Sequence, residues 1–232
     1  MKKILDFQMS TFGSFENIKV DASLVAKLLE AFDNQFMPSV IPAAIFDPFK
    51  SAPTLSNRLN MISSDHMHNI FLLPERIDCN FTPQDESSAS MDFKTAFNKP
   101  SEFLKIAMNE LDVLGNRFAI NGRYLIDCIV DANSFFKPTG FYKEKTLSEW
   151  STSANQITSF DLNGKKEELN NILAISFSEF QNSANNTSSI LISFDINTLH
   201  VNNKARFSSK DVDEFLNNAI SNLDKMISDL PN

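Results

Sequence analysis

The stretch Arg58–Phe81, RLNMISSDHMHNIFLLPERIDCNF, decides how the rest of the chain is read. Its apolar runs, at 58–63, 67–73 and 76–82, are too short for helices. They are separated by Ser-Ser-Asp-His and by Pro74-Glu75, residues that favour turns. The pattern predicts a meander of three antiparallel strands.

On the N-terminal side, Leu5, Phe7 and Met9 alternate with Asp6, Gln8 and Ser10, a strand ending near Gly13. Asp21 is a candidate N-cap for a helix whose apolar face carries Leu24, Val25, Leu28, Phe32 and Phe36 and which Pro38 stops. Residues 37–56 hold prolines 38, 42, 48 and 53 and predict an extended connection with no regular element. On the C-terminal side, the acidic loop TPQDESSASMD leads to a helix after Pro100-Ser101, carried by Phe103, Leu104, Ala107, Met108 and Leu111, with Gly115 at its C′ position.

A strand follows at 123–132, with Tyr124, Ile126, Cys128 and Val130 on one face and Leu125 and Ile129 on the other. Residues 133–155 read as irregular with one helical turn around Leu147 and Trp150, and further strands are predicted at 156–162, 171–180 and 189–198. Ser208 and Asp211 open a last helix on the apolar stripe Val212, Phe215, Leu216, Ala219, Leu223, Met226, Ile227 and Leu230. The reading is α+β: a mainly antiparallel sheet with amphipathic helices packed on it. The order of elements suits two similar β-α-βββ-α halves, 1–116 and 117–232, or equally one α+β domain.

Composition narrows the function. The 42% hydrophobic and 22% charged residues, with 22 phenylalanines, suit a protein with a Phe-rich core. The net charge of −8 divides into −5 for residues 1–116 (10 basic against 15 acidic) and −3 for the remainder, so neither half is basic and a nucleic-acid partner is disfavoured. No apolar run approaches the roughly 20 residues that span a bilayer, and the chain reads as cytoplasmic. Cys79 and Cys128 then read as free buried thiols. Asparagine, at 25 positions, gathers in QNSANNTSS and HVNNK, which suits loop tips.

Few residues could carry chemistry. Glycines at 13, 115, 122, 140 and 164 cannot build a phosphate-binding loop, and no Cys-x-x-Cys, His-Glu-x-x-His or Gly-x-Ser-x-Gly occurs. Asp127 and Asp131 share a strand face but stand about 13 Å apart. The remaining candidate is Asp65-His66-x-His68: on a strand both imidazoles would point to one side and could ligate a metal, with Asp65 or distant His200 completing the set. A hairpin tip explains the same residues without a ligand, and no cofactor is expected.

The same stretch resembles the central signature of a sporadically distributed, functionally uncharacterised family of bacterial proteins. In that family a Ser-x-Asp-type turn leads to a second strand and then to an Arg-Ile/Leu-x-x-Asn strand, here Arg76, Ile77 and Asn80. GRYLIDCIV and the closing ISFDINT…DVDEFLNNAISNLDKMI extend the likeness. His66 stands where the family has Gly, and the family's Trp before the first strand is missing. The resemblance and the lack of a catalytic constellation imply a non-enzymatic protein-interaction component, in a bacterial or phage-related defence or counter-defence system. Its partner would be another protein, with a second copy of the chain a further candidate. The alternatives are a metal-dependent hydrolase or nuclease using Asp65, His66 and His68, and an acidic inhibitor that mimics phosphates.

Overall fold

Apolar-polar alternation makes strands of much of the chain, and in the computed structural model, which describes residues 2–45, 54–128, 149–178, 188–201 and 203–228, nine strands form one sheet. They are β1 (Lys2–Phe12), β2 (Phe36–Ile45), β3 (Thr54–Ser63), β4 (His68–Leu72), β5 (Arg76–Phe81), β6 (Arg117–Cys128), β7 (Glu149–Leu162), β8 (Lys165–Ser178) and β9 (Ser188–Thr198). The spatial order is β2-β3-β4-β5-β1-β6-β9-β8-β7, antiparallel throughout. The predicted fold class is thus the observed one.

The topology repeats. In each half the first strand pairs with the last strand of its own meander, β1 with β5 and β6 with β9. The two first strands pair with each other along Lys2–Phe12 and Arg117–Ile126. Each half closes with a long helix, α3 (Phe93–Glu110) or α4 (Val212–Ser228). The N-terminal half also holds α1 (Ala22–Ala31) and the one-turn α2 (Glu86–Ala89). The N-terminal meander has four strands and the C-terminal one three, so the halves share a plan with unequal counts.

Several boundaries differ from the sequence reading. Of the proline-bearing 37–56 segment, residues 37–45 belong to β2, at the sheet edge, where Pro38 and Pro42, four residues apart, can turn their missing donors outward, and 54–56 open β3; residues 46–53, with Pro48 and Pro53, lie outside the described residues. Helix α1 ends before Phe36 because Asp33 takes the left-handed conformation (φ 52°) in a Schellman turn, Asn34 N–H donating to Leu29 O and Asp33 N–H to Glu30 O. Helix α3 begins ahead of Pro100, since the Asp92 carboxylate caps the Thr95 N–H at 2.9 Å, and Pro100 lies inside the helix. Asp112 (φ 50°), not Gly115, is its C′ residue, with Val113 N–H on Met108 O. Gly115 instead bridges to Phe207, where a Cβ would strike Thr11 Oγ1. Trp150 is in β7, buried beside Phe177, not in a helical turn. Residues 129–148, 179–187 and 229–232, and with them Asp131, Leu147 and Leu230, lie outside the described residues, as do the side chains of Asp127 and Cys128.

Among the described residues the long helices cover one face of the sheet. Phe7 stacks on Phe97 of α3 (4.6 Å between centroids) and meets Phe194 of β9 edge-on, and Phe118 lies against Phe215 of α4. An amide cluster registers α4 on the C-terminal strands: Asn222 Nδ2 donates to Thr158 Oγ1 (2.9 Å) and to the buried Asn171 Oδ1 (3.2 Å). At its start, the Ser208 N–H donates to Asp211 Oδ2 (2.6 Å), the predicted box, with Ser209–Asp211 forming a 3-10 turn. No described helix is long and apolar enough to cross a membrane.

Candidate functional site

The histidine motif divides between two environments. Ser63 and Asp65 close the β3–β4 hairpin: Asp65 Oδ1 accepts from Ser63 Oγ (2.5 Å) and Met67 N–H (2.9 Å), while Ser63 Oγ accepts from His68 N–H (2.9 Å). Partial burial pushes the Asp65 carboxyl up, but the Ser63 hydroxyl, the Met67 N–H and the nearby His68 prevail and hold it below the usual carboxylate value. His66 is exposed in the turn with φ 58°, so the two imidazoles do not share a strand face. His68 is 8% exposed on the helix-covered side, its ring against Phe81 and edge-on to Phe103.

The hairpin tip thus accounts for Ser63, Asp65 and His66, whereas His68 is a core residue. His200 follows β9, with β5, β1 and β6 between it and the hairpin, at least about 19 Å away at ~4.8 Å per strand. No metal-binding group of three His, Cys, Asp or Glu occurs among the described residues. Cys79 is buried and its thiol is pushed well up by that burial.

The other sheet face carries the polar chemistry. Register places Asn69, Asn80, Gln8, Asn121 and Asp195 side by side across β4, β5, β1, β6 and β9, and beside them Asn60, Phe71, Asp78, Ser10, Ala119 and Asn197. Asn121 Nδ2 donates to Gln8 Oε1 (3.3 Å) and Asn197 Nδ2 to Asp195 Oδ1 (3.0 Å). These asparagines lie outside QNSANNTSS and HVNNK and sit on strands, because alternate positions of a strand with one solvent-facing side are as polar as loops.

Arginines gather on this face. Four of the chain's five, Arg58, Arg76, Arg117 and Arg123, face it. Arg123 pairs with Asp6, Nε to Oδ2 at 2.9 Å. Arg117 lies 3.7 Å over the Phe12 ring, and Arg76 is opposite Phe12 on the other side. Burial lowers the Arg117 pKa; Asp195 opposes that and Arg76 adds to it.

Within the N-terminal half a hollow of about 430 Å³ opens on this face, lined by residues of all five strands. On its floor Asp78, 2% exposed, accepts from Ser10 Oγ at 2.7 Å. Burial raises the Asp78 pKa, with the Ser10 hydroxyl and the Arg76 charge opposing. Arg76 Nε is 2.9 Å from Asp78 Oδ2, an ion pair out of hydrogen-bond alignment. Arg58 Nε and Asn60 Oδ1 are buried without a hydrogen-bond partner. Phe71, Leu73 and Ile41 supply an apolar wall. The hollow therefore offers guanidinium donors, amides and the Asp78 carboxyl beside apolar carbon. Sequence reasoning missed this set because each arginine is isolated in the chain; only the period-two register brings them together. Against models of known protein families and against curated proteins, the chain finds no match.

Proposed function

We propose that the protein is a non-enzymatic interaction component that holds a partner protein on the sheet face that carries no described helix. The observation that carries this reading is the concentration of four of five arginines on that face. The exposed apolar side chains Met37, Ile41 and Ile157 lie on the same side. Arginine and apolar anchors beside one another are what protein interfaces concentrate, whereas a purely solvating sheet face is served as well by lysine and glutamate. The resemblance carried by Arg58–Phe81 supports a bacterial or phage-related defence or counter-defence setting.

The test is affinity capture from the native host with the wild-type chain and two charge-reversed variants, Arg58→Glu and Arg117→Glu. A specific partner should be held by the wild type and by an off-site control, Lys165→Glu, and lost by both arginine variants, each weakening binding by about 2 kcal/mol or more. Capture unaffected by either reversal overturns the assignment to this face.

A further inference from the structure

Resting on that reading, we infer that the hollow bounded by Arg58, Arg76, Asn60 and Phe71 is a receptor for a carboxylate side chain on an acidic segment of the partner. Charge balance selects the occupant. In a chain of net charge −8, the charged groups lining this hollow are two guanidiniums and the single carboxylate of Asp78. One charge is left uncompensated, and it belongs to Arg58: its Nε is buried and has no hydrogen-bond partner, while Arg76 is already paired with Asp78. A buried guanidinium donor without an acceptor is costly and is met by a planar anion that takes two parallel N–H bonds. A carboxylate supplies one negative charge and that geometry. A phosphate dianion would bring a second charge beside Asp78 with no cation left to meet it.

Shape agrees with charge. Ile41, Phe71 and Leu73 form an apolar wall against which the methylenes of a glutamate side chain can lie. The amide carbonyl of Asn60, whose Oδ1 is also unpartnered, can accept from the backbone N–H of the same segment. Arg58 is at the rim toward the β2 edge, so an incoming chain reaches it without moving a described helix.

The probe is a short fluorescent poly-glutamate peptide, with poly-glutamine and inorganic polyphosphate as comparisons, followed by anisotropy at low salt. The wild type should bind poly-glutamate, not poly-glutamine, and more tightly than polyphosphate. Arg58→Gln should weaken binding about tenfold, equivalent to about 1.4 kcal/mol. That variant removes no described intramolecular bond, so its circular dichroism should match the wild type. Arg58→Lys, which keeps the charge and loses the planar fork, should recover only part of the affinity.

Equal binding by Arg58→Gln, recovery of full affinity by Arg58→Lys, or a preference for polyphosphate each overturns the carboxylate assignment. Partner capture that depends on Arg58 and Arg117 but is not competed by poly-glutamate refutes this inference and leaves the interaction reading standing. Capture that depends on neither Arg58 nor Arg117 refutes both.

Discussion

A histidine ring between two phenylalanines and a histidine on a left-handed turn respond differently to the same substitution. His66 has φ 58°, which Asn adopts readily, so His66→Asn should change stability by no more than about 0.5 kcal/mol. His68→Asn should cost about 1–3 kcal/mol, because a buried amide replaces a ring packed on Phe81 and Phe103. Chemical denaturation of both variants checks the contrast. Burial, opposed by Asp65, holds the His68 pKa below its ordinary 6.5. The unfolded chain therefore takes up the proton first, so His68 contributes full stability above pH 6.5 and loses it as the pH falls through 6.5 toward the lowered value. Asp78 has the opposite sign: burial raises its pKa above 3.8, so its contribution grows as the pH falls through the raised value and levels off below 3.8. Melting curves across this range should flatten near and just below 6.5 for His68→Phe and nearer 3.8 for Asp78→Asn. An unchanged pH profile in either variant contradicts the corresponding assignment.

At the scale of elements, the two-residue turn Asn163-Gly164 closes the fourteen-residue strands β7 and β8 with φ of 50° and 74° at its two positions. Both positive angles are what a type I′ hairpin needs, and Asn-Gly is the sequence that supplies them. Gly164→Val should destabilise by about 1–2 kcal/mol, since a β-branched residue resists the left-handed region, and thermal unfolding measures it. The strand predicted at 156–162 ends at this turn, whereas reading residues 133–155 as irregular hides the first half of β7. Polar runs such as Ser151–Gln156 lose their apolar signal on an edge strand whose side chains are exposed on both faces. The final helix was legible because its stripe from Val212 to Ile227 is buried on one side, and Phe215 is fully buried against Phe118. Phe215→Asp should leave the chain insoluble or unfolded; a soluble variant with wild-type circular dichroism would contradict that placement.

Across the whole molecule, the β1–β6 pairing makes two meanders into one sheet, and Gly122 sits on that seam. A Cβ there would meet Phe7 and lie 2.7 Å from the Asp6 carbonyl, so Gly122→Ala should cost about 1–3 kcal/mol by overpacking the joint. Loss of the single tryptophan's fluorescence, Trp150 in the C-terminal half, should coincide with loss of far-UV circular dichroism; two separated transitions would show halves that fold independently. Most strands and the long helices of each half could be read from local patterns, whereas β2, the first half of β7 and the sheet face that carries no described helix could not. Arg58, Arg76 and Arg117 lie on three strands, and only sheet order makes them neighbours.

The most direct test of partner binding on that face is site-specific photocrosslinking in the native host, with a benzophenone amino acid at Phe71 or Ile157 on the open face and at Met226 on α4. Adducts to one protein from positions 71 and 157, absent at 226 and abolished by Arg58→Glu, are the predicted result. Adducts chiefly from Met226, or none from either open-face position in cells that express the chain, would contradict it.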